Sequence, residues 1–372
     1  MTFLQVLWFI LIAVLWTGYL ALEGFSLGAG MFLPLAAKND RERTQILRTV
    51  GPVWDANEVW LLTAGGATFA AFPEWYATMF SGMYFALFVV LLLLIIRISA
   101  VEWRAKVASE KWRSVWDKLH TAVAYLVPIL LGVAFANLVQ GMKIEVVDPA
   151  EPLKAVGPTA IDLSKHVHNL TGGFFSLLTV FAVLGGLAVC AIWFAHSAHY
   201  LALKTTGDVH TRAVALGKKG SIVAVVLVAV FALWGQFVYS SQPLFSWIPL
   251  VLAALLYIAA AYFANVGKEG AAFIVSFAGI AATVAWVFTA MAPNVLKSSV
   301  DPAYSLTIAQ ASSTQPTLIV MTIVAVLLVP VVLGYTAWSY LKFSERISVD
   351  SVDDNPGVLW DRIRKNATFL AG

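Results

Sequence analysis

Residues 91–96 read Leu-Leu-Leu-Leu-Ile-Ile and lie inside the stretch 77–101, in which Arg97 is the only charged residue. A transmembrane helix needs about 20 consecutive, mostly apolar residues, so this stretch is long enough to cross a bilayer. Of the 372 residues in the chain, 60% are hydrophobic and 12% are charged. Soluble domains are about 25% charged. Composition therefore indicates an integral membrane protein rather than the two soluble domains that length alone would suggest.

Working outward from this stretch, the same criterion finds nine candidate spans along the chain. The second is the weakest, because it opens with charged residues and is rich in glycine and alanine. The approximate ranges are 5–35, 56–73, 77–101, 119–141, 170–203, 219–240, 246–265, 270–292 and 316–341.

Lysine and arginine concentrate in alternate connections between these spans. The basic connections are 38–50, 102–118, 204–219 and 342–346. Of the alternate short connections, 74–76 and 241–245 contain no lysine or arginine. Because basic short loops face the cytoplasm, the pattern predicts an outside N-terminus, nine crossings and a cytoplasmic C-terminus. Tryptophans near the predicted span ends, among them Trp103, Trp112 and Trp116, fit an interfacial aromatic belt.

The whole chain is thus expected to be an all-α integral membrane protein. We expect one transmembrane bundle over residues 1–344 and a polar cytoplasmic tail over 345–372. Spans one to four and five to eight would form two four-helix units, with the ninth span as one extra helix. The first span extends past residue 30, which is too long for a signal peptide and indicates a retained helix.

Several classes of function are disfavoured. The net charge of +3 gives no indication of nucleic-acid binding. The single cysteine, Cys190, cannot form an intramolecular disulfide or a cysteine metal cluster. His196 and His199 are three residues apart, but no third metal ligand is evident. We therefore predict no metal site and interpret the six histidines as solvated or interfacial.

Glu23 lies well inside the first span, within Gly18–Met31. An ionisable side chain at mid-span costs roughly 2.5–3.5 kcal/mol on insertion scales and is a functional candidate by default. A structural pair with an arginine or a backbone group is the alternative, and both stay open. Gly24 and Gly28 nearby, like Gly65 and Gly66 in the second span, would admit close helix packing. The packing partner is either a second subunit or another helix of this chain.

A second cluster opens the second span, where Asp55 and Glu58 are three residues apart and share a helix face. Trp54 and Asn57 lie close to that face. Two carboxylates at the cytoplasmic mouth of a span can take protons from water and pass them inward. The alternative is a favourable interaction of acids with the helix macrodipole. Arg97, close to the cytoplasmic boundary, either snorkels or pairs with Glu23 or Asp55.

Longer segments resemble a known family. Residues 18–31 and 51–77, the second reading GPVWDANEVWLLTAGGATFAAFPEWYA, look like the signature regions of subunit II of the cytochrome bd quinol oxidases. Further matches continue at 132–141, 208–212 and 329–338, so the resemblance covers nearly the whole chain except the tail.

The resemblance implies a multi-pass subunit of the bacterial cytoplasmic membrane, paired as a heterodimer with a larger subunit I. That partner would carry two b-type haems, one d-type haem and the quinol site. The complex would oxidise quinol and reduce dioxygen to water with protons from the cytoplasm. This chain would bind no haem and perform no redox step itself, although a structural quinone and a small accessory membrane subunit occur among relatives.

Site residues follow from the same resemblance. An acid matching Asp55 is placed on a proton route in the family, and Glu23 and Arg97 match an acid and an arginine nearby. Ser26 stands where many relatives have aspartate. Serine can hydrogen-bond but carries no charge, so a proton relay through this position is in doubt. Glu23, one helical turn away, is the candidate that would take over the relay. The predicted route comprises Asp55, Glu58, Glu23, Ser26, Arg97, Asn57 and Trp54. A secondary transporter with intramembrane carboxylates is the alternative function.

Overall fold

The computed structural model describes residues 1–352, and within them the chain is mostly helical. Long apolar sequences form the main helices, and their connections range from short turns to the segment 141–179 between α6 and α7. The helices are α1 (Phe3–Gly28), α2 (Asp40–Val50), α3 (Trp54–Ala71), α4 (Pro73–Gly82), α5 (Tyr84–Trp103), α6 (Glu110–Gln140), α7 (Val180–Lys204), α8 (Gly207–Trp234), α9 (Trp247–Asn265), α10 (Glu269–Met291), α11 (Ile308–Ala311) and α12 (Gln315–Lys342).

Eight helical segments of the described chain are long and apolar enough to cross a membrane, and each matches one of the nine predicted spans. The all-α integral membrane fold is therefore confirmed. The remaining predicted span is α3, which is helical over 18 residues but begins with Asp55 and Glu58. At about 1.5 Å per residue, α3 has a length of roughly 27 Å, close to the thickness of a bilayer core.

One end of the bundle collects the basic connections. Helix α2 lies there, joined through Asp40 to Arg104 at the junction of α5 and α6 and through Glu42 to Arg212 near the start of α8. The start of α10 is at the same end, because Glu269 pairs with His210 of α8. The first residues of the predicted tail pack here too, since Ile347 donates its N–H to Lys204 O and Arg48 donates to Ser351 O. The ion pairs at this end include Arg104–Asp40, Arg104–Asp117, Arg113–Asp40, Arg212–Glu42 and Arg346–Glu269.

The opposite end carries a small β-structure that the hydropathy pattern did not reveal. Strands β1 (Ile144–Asp148), β2 (Glu151–Ala155) and β3 (Val167–Leu170) form an antiparallel sheet in the order β2-β1-β3. Strands β4 (Asn294–Leu296) and β5 (Leu306–Thr307) form a second pair. Helix α4 packs on β3. Because α2 precedes α3 at the basic end and α4 follows it at the sheet end, α3 connects the two ends.

The predicted span limits need two corrections. The range 170–203 is helical only from Val180, because Leu170 belongs to β3 and Gly173, with φ of +67°, interrupts the backbone. The range 77–101 begins inside α4, which ends at Gly82, and α5 starts only at Tyr84. Both differences arise at the sheet end, where apolar residues pack on the β-structure and mimic the beginning of a span.

Helix α1 is the centre of the bundle and contacts α3, α7, α10 and α12. Helices α7, α8, α9 and α10 pack in sequence, and α10 returns to α7, which closes one four-helix unit. Leu318 is the only buried residue of α12, so the last helix lies on the outside of this chain. A matching unit from α1, α3, α5 and α6 stays a prediction.

Candidate functional site

Arg97 occupies the centre of a buried polar cluster between α1, α3 and α5. Its side chain is 1% exposed, with Nη2 2.8 Å from Glu23 Oε1 and Nη1 2.6 Å from Glu58 Oε2. Arg97 Nη2 also donates to Ser26 Oγ at 3.1 Å. The structure therefore pairs Arg97 with Glu23, which is one of the partners that the sequence suggested for this arginine. Its pairing with Asp55 is wrong, because Glu58 takes that place.

Trp54 and Asn57 hold the edges of this cluster. The Trp54 ring lies against the Arg97 guanidinium, with 4.9 Å between the ring centroid and Cζ, a cation–π geometry. Asn57 is 1% exposed and donates to Leu22 O at 3.1 Å. In turn, Tyr340 on α12 donates to Asn57 Oδ1 at 2.5 Å. These contacts fix α3 against α1 and attach the last turn of α12 to the same place.

The cluster contains one more carboxylate than guanidinium. Glu23 is fully buried, and among residues 1–352 its two oxygens have no hydrogen-bond partner of good geometry besides the close approach of Arg97. With both acids ionised, the group carries one net negative charge, which a single proton neutralises. A buried site with this excess is suited to hold and release one proton.

Asp55 lies outside this cluster. It is exposed in the first turn of α3, whereas Glu58, one turn further along the same face, reaches inward to Arg97. The two acids therefore share a face as predicted but have different surroundings. Asp55 is exposed at the start of α3, whereas the Glu58 side chain is 16% exposed and shares Arg97 with the buried Glu23.

Tyr19 and Tyr340 belong to the site, although sequence reasoning did not identify them. Tyr19 is fully buried one helical turn from Glu23, and its hydroxyl has no hydrogen-bond partner within the described chain. The i, i+4 spacing from Glu23 was a signal that could have identified Tyr19. Tyr340 is far away in sequence, separated from Asn57 by 283 positions, and no local pattern could have indicated the contact.

The interpretation of the histidines as solvated or interfacial is wrong for four of them. His120, His168, His196 and His199 are buried. His196 uses both ring nitrogens within the chain, with Ser276 Oγ at 2.6 Å and Ala21 O at 3.2 Å. His199 Nε2 lies 3.0 Å from Ser221 Oγ. Neighbouring helices supply the polar partners of His196 and His199, and hydropathy along a single helix cannot show such contacts. No group of three potential metal ligands occurs among the described residues.

The glycines of α1 and those of α3 differ in whether another helix of this chain packs against them. A Cβ at Gly24 would lie 2.9 Å from Trp193, and one at Gly28 would lie 3.0 Å from Ser197, so both serve packing of α1 on α7. Gly65 and Gly66 are open by comparison, with only Phe80 at 4.0 Å from the first and nothing within 4 Å of the second. Close internal packing therefore explains the first pair and leaves the second pair available.

A large apolar cavity lies beside these open glycines, between α3, α4, α5 and α6. Its volume is about 670 Å³. Trp75 lines it, is 1% exposed, and has an indole N–H without a hydrogen-bond partner in the described part of the chain. Tyr76 and Phe80 stack at 4.0 Å along the same wall. An apolar cavity with an unpaired donor suits a flat hydrophobic molecule that bears a carbonyl group.

Comparisons with known proteins bear on this site. The family model "Cytochrome bd terminal oxidase subunit II" matches residues 4–343. "Cytochrome bd ubiquinol oxidase subunit 2" of Bacillus subtilis is 40% identical over 94% of this chain and 98% of its own length. "Cytochrome bd-I ubiquinol oxidase subunit 2" of Escherichia coli is 33% identical over 96% and 98%, respectively. A chain of the bd oxidase from Geobacillus thermodenitrificans has a similar fold, with a TM-score of 0.67, 16% identity and coverage of 91% and 97%.

Proposed function

Because the chain belongs to the cytochrome bd terminal oxidase subunit II family, we propose that it is the non-haem subunit of a complex that oxidises quinol and reduces dioxygen to water. Curated relatives that match over nearly their full length carry the names of ubiquinol oxidase subunits. The alternative of a secondary transporter has no support from the family or from these relatives. The oxidase activity belongs to the assembled complex, to which this chain contributes a membrane scaffold.

The haems of the complex would lie in a partner subunit I. Two b-type haems and one d-type haem each need an axial ligand, and the buried histidines of this chain are poorly suited to supply one. Both nitrogens of His196 contact protein atoms, and a Cβ at Gly30 would lie 2.6 Å from the His120 ring, so that ring is tightly packed. This chain's own residues therefore act by binding, positioning and proton transfer.

The role proposed for the Arg97 cluster is to carry protons from the cytoplasm toward the partner. Asp55 would take a proton from water, Glu58 would receive it one turn further in, and Glu23 would hold it beside Arg97. Ser26 and Asn57 position the cluster by hydrogen bonds, and Trp54 shields the guanidinium from the mouth. The observation that carries this proposal is the pair of carboxylates on one buried guanidinium, which leaves room for one exchangeable proton.

Replacement of Asp55 tests the entry step. In the assembled complex, Asp55→Asn should slow oxygen reduction while the reduced-minus-oxidised spectrum keeps its b- and d-haem bands. Unchanged oxygen consumption would mean that Asp55 only stabilises the first turn of α3 and takes no part in proton uptake. Loss of haem would assign it a structural role. If the purified complex lacks both haem bands before any substitution, the oxidase assignment itself fails.

The apolar cavity beside α3 is proposed to hold a structural quinone. The Trp75 indole N–H would donate to a quinone carbonyl, and the aromatic wall of Tyr76 and Phe80 would cover the ring. Quinone extracted per complex should fall in Trp75→Phe, which keeps the ring but loses the donor. Trp16→Phe, at another position of the cavity wall, is the matched control. Equal quinone content in the two variants would exclude this site.

The partner is proposed to approach along the exposed apolar helices, where Gly66 admits a close neighbour. Gly66→Leu should reduce co-purification of subunit I, whereas Ala254→Leu on the exposed face of α9 should not. Similar recovery from both variants would place the interface elsewhere. A small accessory membrane subunit would occupy further exposed apolar surface, for which α12 offers the largest free face.

Orientation follows from the basic end of the bundle. We propose that this end, with α2 and the C-terminus, faces the cytoplasm of a bacterial cell, and that the sheet end with the N-terminus faces outside. The described tail residues up to 352 pack on the basic end, and the rest of the predicted tail lies outside the described residues. Labelling of single cysteines introduced at Asp208 and Asp301, from either side of the membrane, tests this orientation.

A further inference from the structure

A small cavity lies inside the four-helix unit of α7, α8, α9 and α10, away from the Glu23 cluster. Its volume is about 10 Å³, and each of the four helices contributes one polar side chain to its lining. These side chains are His199 of α7, Ser221 of α8, Tyr257 of α9 and Ser276 of α10. The other lining residues are apolar. Polar groups from all four helices therefore meet at this one place.

The four polar side chains are buried at membrane depth. Ser221 and Ser276 are each 3% exposed, His199 is 4% exposed and Tyr257 is 5% exposed. All four belong to helices that are long and apolar enough to cross a membrane. A polar group without a hydrogen-bond partner is costly there, because neither lipid nor apolar side chains can replace the water that it has lost. Donors and acceptors at the cavity are therefore expected to have partners.

The Tyr257 hydroxyl is only partly satisfied by the chain. Its oxygen lies 3.1 Å from Thr283 Oγ1, and Thr283 in turn donates to Gly279 O at 2.9 Å. Thr283 has a single hydroxyl proton, so Tyr257 is the donor in the hydrogen bond that the two share. The lone pairs of the Tyr257 oxygen then receive no hydrogen bond from residues 1–352.

The hydrogen bonds of His196 leave Ser276 in a similar state. Nε2 of His196 lies 3.2 Å from Ala21 O, and a carbonyl oxygen can only accept. A neutral imidazole has one N–H, which is therefore on Nε2, and Nδ1 accepts the Ser276 hydroxyl proton across 2.6 Å. Ser276 cannot give the same proton to Phe273 O, 2.8 Å away. Its oxygen then has lone pairs without a donor in the described chain.

His199 adds a third incomplete group. Its Nε2 lies 3.0 Å from Ser221 Oγ, which is also 2.8 Å from Gly217 O. The single Ser221 proton can serve only one of these two acceptors at a time. Either arrangement leaves Nδ1 of His199 without a hydrogen-bond partner in the part of the chain that the structure describes.

One water molecule fits both the size and the chemistry of this cavity. A buried water needs roughly 10–15 Å³ of free space, which is about the volume present. Such a water typically makes about three hydrogen bonds. The oxygens of Tyr257 and Ser276 can accept its two protons, and its lone pairs are then available to a donor on α7 or α8. The volume excludes a larger ligand.

We propose that this cavity binds a single water molecule, which joins α7, α8, α9 and α10 through one shared set of hydrogen bonds. The water connects three pairs that are separate in the described structure, namely Tyr257–Thr283, His199–Ser221 and His196–Ser276. Through His196 and Ala21 O the same network reaches α1, two positions before Glu23. The site does not depend on the proposed proton route, because its lining contains no carboxylate, lysine or arginine.

The first test is a cryo-electron microscopy map of the complex of this chain with its partner, at a resolution that shows ordered water. One peak should lie in the cavity, about 2.7–3.2 Å from Tyr257 Oη and Ser276 Oγ. An empty cavity, in a map that shows buried waters elsewhere, would overturn the proposal. A peak nearer than about 2.5 Å to several oxygens would indicate a metal cation and would overturn it as well.

The second test compares single and double substitutions through the unfolding temperature of the same complex. Tyr257→Phe and Ser276→Ala each remove one partner of the water, and the two side chains share no direct hydrogen bond in the described structure. The double variant should lose clearly less than the sum of the two single losses, because members of one hydrogen-bond network are not independent. Additive losses would contradict a shared water.

The matched control combines Tyr257→Phe with Ser197→Ala. Ser197 is a buried α7 hydroxyl that donates to Phe25 O at 3.0 Å and does not line the cavity. The losses of this pair should add. Non-additivity of equal size in both pairs would mean that the four-helix unit responds as a whole, and would exclude the water as the cause. If a double variant does not assemble, the map of the unmodified complex decides.

Discussion

Arg97 on α5 faces Glu23 on α1 with 2.8 Å between Nη2 and Oε1, and neither side chain reaches solvent appreciably. Removing one partner of such a pair is far more damaging than the net stability of the pair suggests, because an unpaired charge remains buried. The same guanidinium also holds Glu58. Arg97 therefore supplies the positive charge that compensates both carboxylates.

Arg97→Gln should destabilise the complex strongly, by about 3–5 kcal/mol, because it leaves the buried Glu23 and the half-buried Glu58 without a cation. Thermal unfolding of the purified complex and its yield are the measurements. Glu58→Gln is the control, because it keeps the Arg97–Glu23 pair intact and should cost clearly less. An Arg97→Gln complex with an unfolding temperature equal to that of the unmodified complex would show that the cluster is unimportant for stability.

Glu23→Gln should lower the rate of oxygen reduction by roughly tenfold or more, because the amide keeps the shape of the side chain but cannot take up a proton. Haem content should remain unchanged. Ser26→Ala is the matched control, since it removes only a 3.1 Å hydrogen bond to Arg97. Equal rates in Glu23→Gln and Ser26→Ala would remove Glu23 from the proton route and leave it a structural partner of Arg97.

These residues also mark how far sequence reasoning extends. Hydropathy located the eight most apolar helices, because burial in lipid imposes a long uninterrupted apolar run. It located Glu23 and Arg97 for the same reason, since charges stand out in such runs. It named Asp55 and not Glu58 as a partner of Arg97 on α3, because the correct choice depends on how α3 is rotated against α5. The partners of His196 and Asn57, supplied by distant helices, were equally inaccessible.

The acids of α2 should make the basic end sensitive to low pH. Burial alone would raise the pKa of Asp40, but Arg104 and Arg113 hold it below its ordinary value. Burial would likewise raise the pKa of Glu42, but the Lys38 backbone N–H and Arg212 outweigh it and lower that pKa. A lowered folded pKa gives stability that is fully present above the ordinary carboxyl pKa of about 4 and is lost as pH falls through the folded value.

The unfolding temperature should therefore decline as pH is lowered below about 4. Asp40→Asn/Glu42→Gln should start from a lower stability near neutral pH and show a shallower decline, because the two titrating groups are gone. Thermal unfolding of both forms across this pH range is the measurement. Parallel curves would mean that other carboxylates govern acid unfolding.

Close helix packing gives a prediction that separates two glycines. A Cβ at Gly132 would lie 2.5 Å from Gly185 O on α7, a backbone atom that cannot move by itself. Gly132→Ala should destabilise the packing of α6 on α7 by about 1–3 kcal/mol. Gly270→Ala, with only Leu203 Cδ2 at 3.9 Å from the added carbon, should leave the packing of the chain unaffected. Chemical denaturation of the purified complex compares them, and equal stability of the two variants would contradict the close approach.

The position of Arg97 along the chain has a consequence for synthesis. Ser26 and Arg97, joined by a hydrogen bond, are separated by 71 positions, and both Glu23 and Glu58 precede the arginine. A ribosome therefore delivers two acidic helices to the membrane before the helix that neutralises them exists. The apolar remainder of α1 must hold Glu23 in the bilayer until α5 emerges. Insertion of α5 is thus the step that allows α1 and α3 to pack stably around Arg97. Chains truncated before residue 97 should therefore be degraded in the cell.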